Sequence, residues 1–167
     1  MGTLRRLGTW AMREWLTIAI IAIGIGVQIF LVTRPFDVIL QTLIPDDAFF
    51  IFKVAANVVA GLGSTFDGIN PSNGYHPLWV GVLVVIYKFF GIGLVGDVGP
   101  IKIALYVQVA LNAMTALIVA RILTRFSRSA WIRAFGMIVW LLNPFLLYET
   151  LNGIETALAL FFFSIFP

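Results

Sequence analysis

The sequence predicts an all-α protein that crosses a lipid bilayer several times, and three observations lead to this prediction. Of its 167 residues, 60% are hydrophobic and only 11% are charged, whereas a soluble domain has about 45–50% apolar and about 25% charged residues. Several apolar segments approach the roughly 20 residues that a helix needs to cross a bilayer. The basic residues cluster beside these segments, as residues that set membrane topology do. Soluble globular and disordered proteins are both excluded.

Charge and cysteine content limit the chemistry further. The net charge of +3 is of the size that orients membrane proteins, so we predict no nucleic-acid partner. The chain has no cysteine, which excludes disulfides, thiol nucleophiles, iron–sulfur clusters and thiolate zinc sites.

The first predicted span is residues 15–33. Arg5, Arg6 and Arg13 precede it, so it enters from the cytoplasm by the positive-inside rule. The apolar run is longer than the 7–15 residues of a signal-peptide core, and Arg34-Pro35-Phe36 follows where a cleavage site would have small residues. We therefore interpret it as a retained span.

Four more apolar segments follow the first span. They are residues 78–96, interrupted by Lys88, then 101–120, 130–148 and 154–167. The last is still apolar where the sequence stops, so we interpret residues 1–167 as a single transmembrane module from the N-terminal part of a longer protein.

The topology of residues 78–120 has two interpretations. If 78–96 and 101–120 both cross the bilayer, the cluster of Arg121, Arg125, Arg128 and Arg133 lies outside the cytoplasm, against the positive-inside rule. If residues 78–91 instead form a juxtamembrane or re-entrant helix, these arginines lie in the cytoplasm. We prefer the second interpretation.

Residues 34–77 form the predicted external loop, and a short helix is expected after Pro45. Asp46 or Asp47 can cap its start, and Gly61 can end it. On this helix Asp46, Lys53 and Asn57 share one face because they are 7 and 11 positions apart. An irregular loop follows up to residue 77.

Three polar segments contain the candidate site residues. Asp46 and Asp47 can hold a divalent cation or serve as a general base, or can simply cap a helix. His76 can bind phosphate or a metal and Lys53 can pair with a phosphate, although interfacial histidines and snorkelling lysines are common. Glu149 and Glu155 can complete a site or simply occupy a polar loop between two spans.

The joint order of these segments is more specific than any one of them. The sequence has Asp-Asp-Ala-Phe at 46–49, Asn57, Gly-Leu-Gly at 61–63, Phe-Asp at 66–67, Asn-Gly-Tyr-His-Pro-Leu-Trp at 73–79 and Asn-Gly-Ile-Glu-Thr at 152–156. This pattern resembles the polyprenyl-phosphate-dependent membrane glycosyltransferases of the C-type (GT-C) superfamily. That group includes protein O-mannosyltransferases and arabinofuranosyltransferases. The resemblance extends over nearly the whole chain, but would match only the N-terminal part of a family member.

The resemblance implies a specific activity. A sugar would pass from a polyprenyl-phosphate donor to a hydroxyl of a glycan, lipid or protein acceptor, with inversion, on the non-cytoplasmic face of a prokaryotic cytoplasmic membrane. Asp46 would be the base, and Asp47 its partner or, with Glu155, a ligand of Mg²⁺ or Mn²⁺. The implied substrate-binding residues are Lys53, Asn57, Asn73, His76, Glu149 and Glu155.

Two other protein classes are the alternatives. A transporter fragment would place charged residues inside the spans and contain paired half-helices. A non-catalytic membrane scaffold subunit would need no site at all.

Overall fold

A computed structural model of the protein describes residues 2–91 and 99–166, with side chains from Glu14 onward. This part of the chain is helical, with no strand beyond an isolated bridge between Thr65 and Pro71. Its helices are α1 (Gly2–Thr33), α2 (Phe36–Thr42), α3 (Asp46–Val59), α4 (Pro77–Phe90), α5 (Gly99–Phe126), α6 (Ala130–Leu141), α7 (Pro144–Thr150) and α8 (Thr156–Ile165). The predicted all-α class is confirmed for the described residues.

Two helices in the described residues are long and apolar enough to cross a membrane. They are the Glu14–Thr33 part of α1 and the whole of α5, and they contain the predicted spans 15–33 and 101–120. The bent pair α6 and α7 makes a third if it counts as one span. These helices support membrane association.

The predicted span 130–148 is not one straight helix, because the chain bends by 55° between α6 and α7. Asn143 Oδ1 accepts a hydrogen bond of 2.9 Å from the Phe145 N–H and so starts a new helix. Pro144 at the next position lacks an N–H and cannot continue α6. The asparagine–proline pair is therefore the physical cause of the bend.

The other two predicted spans are shorter in the structure. α4 ends at Phe90, and residues 92–96 of the predicted span 78–96 lie outside the described residues. α8 covers Thr156–Ile165, less than a full crossing, and residue 167 is also outside the described part.

The helices α1 and α5 are antiparallel. Asn112 in the middle of α5 donates to Gln28 near the end of α1 (3.2 Å), and Lys102 Nζ near the start of α5 donates to the Arg34 carbonyl just after α1 (3.1 Å). The end of α1 and the start of α5 thus lie at the same end of the bundle. If both helices span a bilayer, the chain between them must cross it an even number of times, which includes zero. The 14 residues of α4 extend only about 21 Å, less than the roughly 30 Å hydrocarbon core. That α4 is a juxtamembrane or re-entrant helix stays a prediction.

The opposite end of the bundle, where α1 enters and α5 leaves, is called here the arginine end. Among the residues with described side chains, its arginines are Arg121, Arg125, Arg128 and Arg133. Arg133 is buried and forms a bidentate ion pair with Glu14 of α1, at 2.6 Å and 3.2 Å. The apolar core beneath joins α1, α5 and α6.

The other end, called here the acidic end, is built around the N-termini of α3, α4 and α8. Its larger core includes the fully buried Trp79. α3 ends as predicted: Gly61 has φ +80°, and Leu62 N bonds to Asn57 O at 2.9 Å. Its predicted cap is wrong, since Pro45 occupies the N-cap and no side chain caps the helix. Asp46 and Asp47 lie in the first turn instead.

Candidate functional site

A cavity of about 400 Å³ at the acidic end brings three of the predicted residues together. Asp47, His76 and Glu155 all line it. Phe50 and Tyr75 are also part of its wall. A carboxylate, an imidazole and a second carboxylate from three distant parts of the chain therefore share one space.

Each of these three side chains lies at the start of a helix. Asp47 is in the first turn of α3, His76 is the N-cap residue of α4, and Glu155 is the N-cap residue of α8. Pro77 fixes the position of His76, because a residue before proline is held extended, here with φ −83° and ψ 111°. Since helix N-termini carry partial positive charge, the three helices favour negative charge in the cavity.

His76 and Glu155 are in direct contact. The imidazole Nε2 lies 3.0 Å from Glu155 Oε1, so its N–H donates to the carboxylate. The His76 side chain is 70% exposed, whereas that of Glu155 is 22% exposed. The second oxygen, Oε2, is buried and has no hydrogen-bond partner among the described residues. Glu155 thus orients His76 and keeps one acceptor atom free.

The backbone turn before Glu155 is held by two buried side chains. Trp79 Nε1 donates to the Gly153 carbonyl at 2.8 Å. Gln108 accepts from Gly153 N at 3.1 Å and donates to the Ile154 carbonyl at 2.5 Å. Gly153 has φ +81°, and a Cβ there would lie 2.9 Å from the Phe52 ring. Only glycine lets this turn pack against α3.

The loop that carries His76 is anchored on α3. The buried Asn57 amide donates to the Thr65 and Phe66 carbonyls, both at 3.0 Å. The Phe66 ring stacks on Phe50, with centroids 5.3 Å apart. Ser64 Oγ bonds to the Tyr75 hydroxyl, just before His76. The irregular loop is therefore held in place by specific contacts.

The remaining predicted residues do not line the cavity. Asp46 and Lys53 are exposed on α3, and Asn73 is exposed next to Gly74, which is part of the wall. Asn57 uses its amide to anchor the loop. Glu149 ends α7, where its Oε2 is 3.5 Å from Asn152 Nδ2. Their substrate-binding roles stay predictions.

Asp67 lies in the same loop, and its pKa is lowered to about 2. The backbone N–H groups of Asn70 and Ile69 donate to its carboxylate at 2.7 Å and 2.8 Å, and the Asn70 side chain adds a third bond at 2.7 Å. These bonds stabilise the ionised form. Asp67 thus closes a local turn.

The predicted Mg²⁺ or Mn²⁺ stays a prediction, for which the described residues offer an incomplete set of protein ligands. Within the described residues, no three His, Asp or Glu side chains form a group that could hold a metal ion. Asp47 and Glu155 share the cavity, but one oxygen of Glu155 is already bonded to His76.

Gln108 supports the site and was not predicted, whereas Trp79 and Gly153 lie inside the quoted motif segments but were given no role. The sequence does contain a signal for Gln108, since an amide inside an apolar run must find a partner in the bundle. It contains no signal for which partner, because Gly153 is 45 residues away.

The chain was also compared with known proteins. No protein-family model, curated protein or solved structure matches it.

Proposed function

We propose that this protein is a membrane glycosyltransferase that moves a sugar from a polyprenyl-phosphate donor to a hydroxyl acceptor, acting at its acidic end. The proposal combines the motif resemblance with one structural observation. Asp47, His76 and Glu155, which belong to three separate pieces of the motif, line one cavity.

Asp47 is the group best placed to act as the general base. The sequence favours Asp46, but Asp47 lines the cavity and Asp46 does not. In the proposed reaction Asp47 takes the proton of the acceptor hydroxyl, and the acceptor oxygen attacks the anomeric carbon. The bond from that carbon to the phosphate oxygen breaks, and the polyprenyl phosphate leaves with the bonding electrons. Attack opposite the leaving group inverts the configuration.

The growing charge on the leaving phosphate requires donors at the same site. His76 lines the cavity, and its imidazole donates to Glu155. In the proposed reaction this N–H turns from Glu155 to the leaving phosphate. The three helix N-termini add partial positive charge, as they do in other phosphate sites. A sugar hydroxyl would supply the partner that Glu155 Oε2 lacks. No step requires a metal ion.

The location of the cavity supports an active face outside the cytoplasm. Along α5, the cavity-supporting Gln108 is roughly 20 Å from Arg121, the first residue of the arginine end. If that end is cytoplasmic, as the positive-inside rule predicts, the cavity opens near the opposite face, in a cytoplasmic membrane of a prokaryote.

The test is a transfer assay on membranes that express the protein from its complete gene, with a panel of polyprenyl-phosphate sugars. We expect Asp47→Asn to reduce transfer by about 10²–10⁴-fold, the usual contribution of a general base. Asp46→Asn is the matched control, since it makes the same change one residue outside the cavity. Expression is checked by blotting, and EDTA tests the predicted cation, with no loss of transfer expected.

The outcomes separate the hypotheses. If Asp47→Asn is as active as wild type on a donor that wild type uses, Asp47 is not the base. If only Asp46→Asn loses activity, Asp46 is the base, as the motif resemblance implies. If no donor is consumed by wild type, the glycosyltransferase proposal fails.

A transporter is the second candidate, because two observations favour it. The helix pair α6 and α7 is broken by 55°, and the Glu14–Arg133 pair places charge inside the bundle. Broken helices and buried charges are typical of transport pathways. Substrate uptake into vesicles, without sugar transfer, would favour this candidate.

A further inference from the structure

A second cavity, of about 550 Å³, lies between α1 and α5 at the arginine end. Its wall includes Arg121 and Arg125 at one side and Ile18, Ile21 and Leu117 at the other. It is separate from the acidic-end cavity, and the proposed function makes no use of it.

The cavity carries uncompensated positive charge. Arg121 and Arg125 are exposed and one helical turn apart, so both side chains project from one face of α5. Neither forms an ion pair with a described residue, whereas the one acid in the wall, Glu14, is already bonded by Arg133. Two guanidinium groups are therefore free to bind one anion, and guanidinium is well suited to phosphate.

A buried hydroxyl points to the same kind of ligand. Thr17 lines the cavity, is 3% exposed, and its Oγ1 has no hydrogen-bond partner among the described residues. Threonines in helices usually bond to a carbonyl one turn back, as Thr115 does to Leu111 at 2.9 Å. The Thr17 hydroxyl is thus available to donate to a ligand oxygen.

The apolar side of the cavity lies deeper in the bundle. Leu117 is four residues before Arg121 on α5, about 6 Å further along the axis. Ile21 is one helical turn past Thr17 on α1, in the same direction because the two helices are antiparallel. Both α1 and α5 are long and apolar enough to cross a membrane. The wall therefore changes from cationic to apolar along the axes of α1 and α5, in the order of a phospholipid's headgroup and acyl chain.

We propose that this cavity binds one anionic membrane phospholipid. Its phosphate lies between Arg121 and Arg125 and accepts from Thr17, and an acyl chain lies along Leu117 and Ile21. Basic pockets between membrane helices bind anionic lipids in this way. The apolar wall favours a lipid over a free phosphate ion. The proposal depends on membrane association and not on sugar transfer.

Native mass spectrometry of the full chain in detergent micelles, with added phosphatidylglycerol or phosphatidylcholine, tests the proposal. We expect wild type to retain one phosphatidylglycerol at least fivefold more than phosphatidylcholine. Arg121→Gln and Arg125→Gln should each reduce this preference severalfold, and Thr17→Val should reduce it with no change in charge. Arg128→Gln is the charge-matched control, since this exposed arginine at the same end is not part of the cavity wall.

Three results would overturn the proposal. One is equal retention of the two lipids by wild type. Another is an equal loss in Arg128→Gln, which would indicate general attraction of charge. The third is complete displacement of the lipid by millimolar inorganic phosphate, which would identify an ion site. Circular dichroism of each variant confirms that it is folded, and the exposed arginines make unfolding of these variants unexpected.

Discussion

The two ends of this protein use charged side chains in opposite ways. At the arginine end, Glu14 and Arg133 are buried against each other and fasten α1 to α6. At the acidic end, neutral groups do the fastening, because Trp79 and Gln108 bond to the backbone of the turn before Glu155. The charges of Glu14 and Arg133 are used up in structure, whereas Asp47 at the acidic end stays exposed to a cavity.

This difference indicates where a reactive site can be located. In a buried ion pair such as Glu14–Arg133, each charged group is already bonded to its partner. A carboxylate in the first turn of a helix, whose position is fixed by neutral hydrogen bonds elsewhere, keeps its lone pairs for a substrate.

The largest expected effect comes from breaking the ion pair at the arginine end. Glu14→Gln leaves Arg133 buried without a counter-charge, which typically costs about 3–5 kcal/mol. Thermal or SDS-induced unfolding in micelles measures this loss. Arg128→Gln, an exposed arginine at the same end, should change stability by less than about 1 kcal/mol. Similar stability of Glu14→Gln and wild type would show that the pair holds nothing together.

A smaller effect is expected where α1 and α6 pack most closely. A Cβ at Gly24 would lie 2.7 Å from Leu141 Cβ, so Gly24→Ala must push the helices apart at a cost of about 1–3 kcal/mol. Gly26→Ala is the matched control, because nothing lies within 4 Å of its Cβ position and alanine is the better helix former. The contact is refuted if both variants unfold at the same temperature.

At the acidic end, Trp79→Phe should remove one hydrogen bond from the turn before Glu155. The buried Gly153 carbonyl loses its donor, at about 1–3 kcal/mol, and transfer activity should fall with stability because Glu155 shifts. Trp131→Phe provides a control at the arginine end, where the ring is 76% exposed. If Trp79→Phe is less stable but equally active, the turn before Glu155 does not position this residue for activity.

The smallest effect concerns Asp67 and its pKa of about 2, below the usual 3.8. Because the folded pKa is the lower one, the stabilising contribution is complete above pH 3.8 and is lost as the pH falls towards 2. NMR titration of the carboxyl carbon measures the midpoint. Asn70→Ala removes one of the three bonds and should raise the pKa partway to 3.8, whereas Asn73→Ala should not. A titration midpoint near 3.8 for Asp67 in the wild type would show that the hydrogen bonds from Ile69 and Asn70 are not formed.

Local features of the fold were predictable from the sequence where local rules decide them. The two long apolar runs became α1 and α5, and Gly61 ended α3 as expected. The bend at Asn143 and Pro144 was predictable in principle, since both residues are helix-start signals, although a hydropathy window merges α6 and α7. The cap of α3 was misassigned because Pro45, rather than an aspartate, occupies it.

Long-range features were not predictable, because they depend on which helices pack together. The motif resemblance placed Asp47, His76 and Glu155 in one hypothesis, but not Asp47 ahead of Asp46. The Glu14–Arg133 pair joins residues 119 positions apart, and a single sequence contains no signal for that pairing. An acid at the start of an apolar run was the available clue that Glu14 needs a partner.

The distance in sequence between Glu14 and Arg133 also sets the order of events during synthesis. At about 5–20 residues per second, a ribosome needs about 6–24 s to add the 119 residues that separate them. Throughout that interval Glu14 lacks the Arg133 side chain that holds it in the folded protein. The first helix can therefore be fastened to α6 only after nearly the whole sequence has been made.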